Sequence, residues 1–214
     1  MPLGLPARMV LERGPDPLHE HGVVRILVVL VGHSWGGLLS QLVTWQRPDL
    51  LKGLVLLDPS HEALWSDSLT PEEFAEASRH PTPSDPRAAA ILPAAQDLAT
   101  QTAETANEPL LRDAYLSYVE TDAQLFTILD EIPMILDHLP AIAHHRASAT
   151  WPDIPITLFT AMKGRPQAFV EPVLVVQEAL AAAANAHHTV VPDAGHYIHV
   201  DRPDLVIRAV RGTR

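Results

Sequence analysis

"VVRILVVLVGHSWGGLLSQLVTWQRPDLLKGLVLLD", residues 23–58, is the stretch that decides the fold. Its first nine residues are aliphatic, broken only by Arg25, and show no polar alternation. That pattern predicts a strand over 23–31 covered on both faces. Residues 36–46 then place Leu38, Leu39, Leu42 and Val43 at the i, i+3/i+4 spacing of one helix face. Pro48 ends this helix, because the residue before proline is pushed out of the helical region. GLVLLD, 53–58, is a second apolar strand. Strand, helix and strand in so short a span form a parallel βαβ unit.

Between the first strand and the helix stands Gly32-His33-Ser34-Trp35-Gly36, with Gly37 behind it. A glycine-rich turn that happens to contain serine would look the same as an isolated pattern. The context is more specific. A serine on a tight strand-to-helix turn projects its hydroxyl above the sheet, and the helix N-terminus behind it offers amide N–H groups to a developing oxyanion. A serine hydroxyl needs a base. Among twelve histidines, His196 in DAGHYIHVDRPDLV is favoured by its glycine-containing loop, its place before the last helix and its position after the serine in chain order.

Beyond this unit the chain divides into two parts. Residues 61–150 carry helix signals and little strand. Thr70-Pro71-Glu72-Glu73 is a capping box, Ser84-Asp85-Pro86 and Asn107-Glu108-Pro109 start two further helices, and Thr121 caps a fourth. The α/β rhythm resumes with a strand over 154–161, a helix over 172–186, a short strand over 187–193 and a closing helix over 202–212. The reading is an α/β core, mostly parallel sheet flanked by helices, formed by 1–60 and 151–214, with an α-helical cap inserted at 61–150.

Composition narrows the function classes. The absence of cysteine excludes disulfides, thiolate metal sites and cysteine nucleophiles. The net charge of −11 lies wholly in 61–150, where 15 acidic residues face four basic ones. Such a chain repels nucleic acid and anionic membranes. The run 23–31 is too short to span a bilayer, and residues 1–10 do not resemble a signal peptide, so a cytoplasmic protein is expected. His144-His145 and His187-His188 lack carboxylates at ligand spacing, so no metal is expected, and no glycine-rich phosphate loop suggests a cofactor.

"LVGHSWGG", "RPDLLKGLVLLDPSHEALW" and "AGHYIHVDRPDLV" together resemble three recurring blocks of the α/β-hydrolase superfamily: the nucleophile elbow, the following strand and the catalytic-histidine loop. The resemblance covers about 25–65 and 150–211, and 61–150 looks like the helical cap of that superfamily. It implies Ser34 as nucleophile, His196 as general base and the Trp35 backbone N–H as one oxyanion donor. The usual place for the triad acid is the loop after strand 154–161, which here reads MKGRPQAFVEP and holds only Glu171. The superfamily also uses the end of the preceding strand, where Asp58 stands. Asp58 is preferred, with Glu171 as the alternative. The chain has 33 residues before Ser34, fewer than the resemblance leads one to expect. The expectation is an N-terminally shortened hydrolase without the second oxyanion loop, prone to self-association through the exposed edge of strand 23–31.

The resemblance implies a carboxylesterase acting on a small-molecule ester through an acyl-enzyme on Ser34. The elbow and cap also resemble those of proline iminopeptidases, which would make the substrate an amide. A third reading is a non-catalytic remnant. Comparing aminoacyl arylamides with short esters separates the first two, and labelling by a fluorophosphonate separates both from the third.

Overall fold

The computed structural model describes residues 27–66 and 122–213, with scattered positions between 70 and 117. Its centre is a sheet of four parallel strands in the order β1-β2-β3-β4: β1 (Val28–His33), β2 (Leu51–Leu57), β3 (Ile156–Ala161) and β4 (His187–Val191). The α/β reading and its parallel sheet hold. The first strand differs at its ends. Residues 23–26 lie outside the described part, and the strand continues through Gly32 and His33, which pair with Leu56 and Leu57. The break falls at Ser34, where φ turns positive.

Helix α1 (Ser34–Gln46) starts two residues earlier than its apolar face suggests and stops before Pro48, where a single 3₁₀ turn leads into β2. A short α2 (Glu62–Ser66) follows β2. Helix α3 (Asp122–Ser148) begins immediately after Thr121 and runs through Pro133 and Pro140, buries Leu136, Leu139 and Ile142, and ends before β3. The capping signals at 84–86 and 107–109 fall largely outside the described residues, as do Pro71 and Glu73 of the capping box. Helix α4 (Gln167–Ala184) precedes β4. It begins five residues before the expected 172 and contains Pro172. Two further helices close the chain, α5 (Ile198–Asp201) and α6 (Pro203–Gly212).

The period of two along each strand divides the core. Leu54, Leu56, Ile156 and Leu158 pack against Leu180 and Ala184 of α4. Val55, Leu57, Phe159, Ala161 and Val191 face the other way, against Ile198 of α5 and Leu205, Val206 and Ala209 of α6. Central β2 is therefore buried on both faces, as its unbroken apolar run requires. Helix α4 is long and apolar enough to cross a membrane by length and composition alone. Here its buried side, including Val173, Leu180 and Ala184, lies within the core.

β1 is an edge among the described residues, and Leu27, Val28 and Val31 are exposed there, as are Leu39 and Val43 on α1. A buried charged cluster ties the segments that follow the sheet on this side. Arg146 at the end of α3 donates to Glu62 of α2 and to Gln41 of α1, the latter at 2.8 Å, and its guanidinium lies 5.1 Å from the Trp45 ring centre. Burial alone would raise the Glu62 carboxyl; the hydrogen bonds and charge of Arg146 outweigh it and hold the group below its usual range.

Candidate active site

The strand register brings the site together. His33 pairs with Leu57, and Leu57 with Phe159, so the residues after β1 and β2 leave the sheet side by side at its carboxyl end. That end is where open parallel sheets bind ligands. The two residues that emerge are Ser34 and Asp58, with φ of 52° and 43°. Asn185 is the other non-glycine residue at positive φ among the described residues, and it caps the C-terminus of α4, an ordinary place for that conformation. A left-handed serine or aspartate costs about 1–3 kcal/mol and persists where the surroundings impose it.

At Ser34 the surroundings are a close packing of α1 on the sheet. A β-carbon on Gly32 would lie 2.7 Å from the Gly37 Cα, and one on Gly37 would lie 2.6 Å from the Pro59 Cβ. These two glycines let the helix start against β1 and the loop after β2. Gly36, the closing glycine of the pattern, faces open space, so its place in the motif has no packing reason among the described residues. The Ser34 carbonyl accepts from the Ser60 N–H at 2.9 Å, which ties the elbow to the segment after Asp58. Trp35 lies in the first turn of α1, where an amide has no partner within the helix. The Ser34 hydroxyl has no hydrogen bond among the described residues.

Asp58 is buried, with four hydrogen bonds. Oδ1 accepts from the Ala161 N–H at 3.2 Å, and Arg165 Nη2 donates to both oxygens at 2.8 and 2.7 Å. Oδ2 also accepts from His196 Nδ1 at 2.7 Å. A carboxylate partner on Nδ1 places the ring's proton there and leaves Nε2 as the acceptor nitrogen. Glu171, the alternative acid, is exposed on α4, and His196 takes Asp58 instead.

Three contacts pin the His196 loop, and the sequence pattern did not single them out. Asp201 accepts from the Gly195 N–H at 2.6 Å, and the Lys163 N–H donates to the Ala194 carbonyl. His33 Nε2 donates to the His196 carbonyl at 2.9 Å. His33 has ring centres of His196, Tyr197 and His199 within 4.5–5.0 Å. Burial first, then the neighbouring His196 and His199, push His33 down to about 4, so it is neutral at pH 7 with its proton on the donating Nε2. His199 is lowered by burial and by His196. The position beside the serine is thus a support for the loop. Its signal in the sequence was only adjacency.

Each histidine pair weighed as a metal ligand has at least one member with a contact among the described residues. His188 Nε2 lies 2.8 Å from Thr160 Oγ1, and the His145 ring lies 6.1 Å from that of Trp45. Beside the elbow, a cavity of about 590 Å³ separates α1 from α3. Trp35, Leu39 and Leu42 line one wall, and Met134, Ile135 and Ile142 the other.

The family model described as the alpha/beta hydrolase family matches residues 11–209. Several solved structures share the fold at low identity. The peroxisomal α/β-hydrolase Lpx1 of Saccharomyces cerevisiae is 18% identical with a TM-score of 0.50, over 87% of this chain and 53% of that one. A candidate epoxide hydrolase from Pseudomonas aeruginosa is 16% identical with a TM-score of 0.60, over 91% of this chain and 66% of that one. A thermophilic esterase is 14% identical with a TM-score of 0.51, over 87% of this chain and 65% of that one. This chain therefore spans between about half and two thirds of the length of these structures.

Proposed function

The chain belongs to the alpha/beta hydrolase family, and on that premise we propose that it is a serine hydrolase cleaving a carboxylic ester. The observation that carries the reading is the 2.7 Å bond from His196 Nδ1 to Asp58 Oδ2, made beside a serine held at φ 52°. Asp58 fixes the tautomer in which Nε2 can take a proton. In the proposed cycle Ser34 Oγ attacks the ester carbonyl carbon and His196 Nε2 takes the hydroxyl proton. The tetrahedral oxyanion draws on the Trp35 N–H. The alcohol leaves with the proton from His196, and an acyl-enzyme remains on Ser34. Water, deprotonated by the same nitrogen, attacks the acyl carbon and frees the acid. Asp58 stays ionised throughout and stabilises the imidazolium.

The cavity next to Trp35 is mainly apolar, with Gln46, Glu131, His138 and His145 as its polar lining, and supports a mainly apolar acyl or alcohol group. The experiment is reaction with a fluorophosphonate followed by mass mapping. The expected result is one adduct, on the peptide carrying Ser34, together with hydrolysis of p-nitrophenyl acetate. No adduct on the intact chain would remove the reading. Faster turnover of an aminoacyl arylamide than of a short ester would replace the esterase by a peptidase.

A further inference from the structure

Arg165 is half-buried against the proposed acid of the site and belongs to no step of the proposed reaction. Its side chain is 18% exposed, and that of Asp58 3%. The guanidinium works in two directions. Nη2 bridges both Asp58 oxygens, and Nε donates to the Ala161 carbonyl at 3.0 Å, at the end of β3. The residue is presented by a tight turn in which the Arg165 N–H donates to the Met162 carbonyl and Gly164 sits at φ 73°. With the Ala161 N–H and His196, Arg165 fills all of the roughly four acceptor positions of a carboxylate. Asp58 then has no freedom to rotate away from the imidazole.

The shared oxygen ties the guanidinium to the ring. Arg165 Nη2 and His196 Nδ1 both lie 2.7 Å from Oδ2. The other titratable and charged groups around the ring are His33 before α1, Tyr197 beside it, and His199 and Asp201 of α5. Lys163, exposed, shares the Arg165 turn. Arg165 ion-pairs with the carboxylate that holds the ring.

We propose that Arg165 is a positioning residue that locks the Asp58 carboxylate toward His196. The inference rests on the serine hydrolase reading for its catalytic consequence, but the bridge itself belongs to the folded chain with or without turnover. Two variants test it. Arg165→Gln removes the charge and the bridge. Arg165→Lys keeps the charge and loses the second anchor on Ala161.

The Nδ1–H proton of His196, followed by NMR, reports its bond to Asp58 and needs no substrate. The parent is expected to show it as a sharp, downfield line, and both variants to show it broadened or lost to exchange with water. In the ester assay both variants are expected to lose about 10- to 100-fold in kcat, the cost of a displaced catalytic group, with KM little changed. A parental Nδ1–H line in folded Arg165→Gln, or parental kcat in both variants, overturns the positioning role. If Arg165→Gln does not fold, Arg165→Lys decides by the same two readouts. Failure of the fluorophosphonate adduct on the parent would instead remove the hydrolase reading and leave the NMR result standing.

Discussion

Ser34 and Asp58 follow residues paired across neighbouring strands and share the left-handed conformation, yet the structure holds them differently. The Asp58 carboxylate is saturated with hydrogen bonds from a strand end, a turn and the His196 loop. The Ser34 hydroxyl has none among the described residues; only its backbone is held, by the packing of α1 and the bond to Ser60. The proposed acid–base half of the site is preassembled, and the proposed nucleophile is aimed by backbone geometry. Catalytic hydrogen bonds are often loose without substrate, so an unbonded serine fits a site that tightens on binding.

This difference sets what mutations should do. Ser34→Ala is the largest change in activity and the smallest in structure. It removes a hydroxyl with no hydrogen bond among the described residues, so hydrolysis should fall to the uncatalysed background while the thermal midpoint stays within error. Retained esterase turnover would break the comparison at its nucleophile side. Asp58→Asn should hurt both properties. The amide cannot hold the imidazole in the productive tautomer, a loss of up to ~10⁴ in kcat. It also leaves Arg165 and the Ala161 amide with a poorer partner, at a cost of about 1–3 kcal/mol by chemical denaturation. Glu171→Gln, on an exposed helix position, should change neither. A greater loss from Glu171→Gln than from Asp58→Asn would reverse the assignment.

The glycines sharpen the nucleophile side. Gly37→Ala forces a methyl onto Pro59 and should destabilise by about 1–3 kcal/mol, with activity falling because the elbow must shift. Gly36→Ala meets open space inside a helix and should be neutral or stabilising by up to about 1 kcal/mol. Equal losses from both, measured side by side, would mean that the motif constrains the turn in a way the packing does not explain.

Much of this site was legible before any coordinates. An aliphatic run ending at a glycine-flanked serine, followed by a helix face, has one economical reading, because parallel strands buried on both faces leave little choice of period. His196 and Asp58, the proposed base and acid, were reachable as candidates through chain order and strand ends. What stayed hidden depends on residues far apart in sequence. Arg165 sits in a turn whose composition says only "turn", and its partner is 107 positions away. His33 reads as a neighbour of the candidate nucleophile, whereas its ring contacts reach the segment 196–199. The length of α3 was hidden for the opposite reason: Pro133 and Pro140 are helix breakers by local rule, and the packed face of Leu136, Leu139 and Ile142 overrides it.

The pH response offers the subtlest test, because it separates the histidine side of the site from its carboxylates. His33 in the folded chain is lowered from 6.5 to about 4, chiefly by burial. Between those values the unfolded chain binds a proton there that the folded chain refuses, so stability rises with pH across that window and falls on acidification. Below about 4 both states are protonated and the His33 contribution levels off. His188 and His199 are lowered in the same direction and add to the loss. Glu62, held below its ordinary range, contributes stability above its unfolded value of 4.5 that disappears only as pH falls through its lower folded value. Thermal midpoints should therefore begin to drop near pH 6.5, before any carboxylate titrates. His33→Gln should flatten that early decline while leaving the later carboxylate-driven one in place. The substitution also weakens the support of the His196 carbonyl, so a modest fall in kcat should accompany the flatter curve. A decline that starts only near pH 4.5 in the parent would show that the rings around His196 admit a proton in the folded state, and that the histidine side of the site is less closed than the Asp58 side.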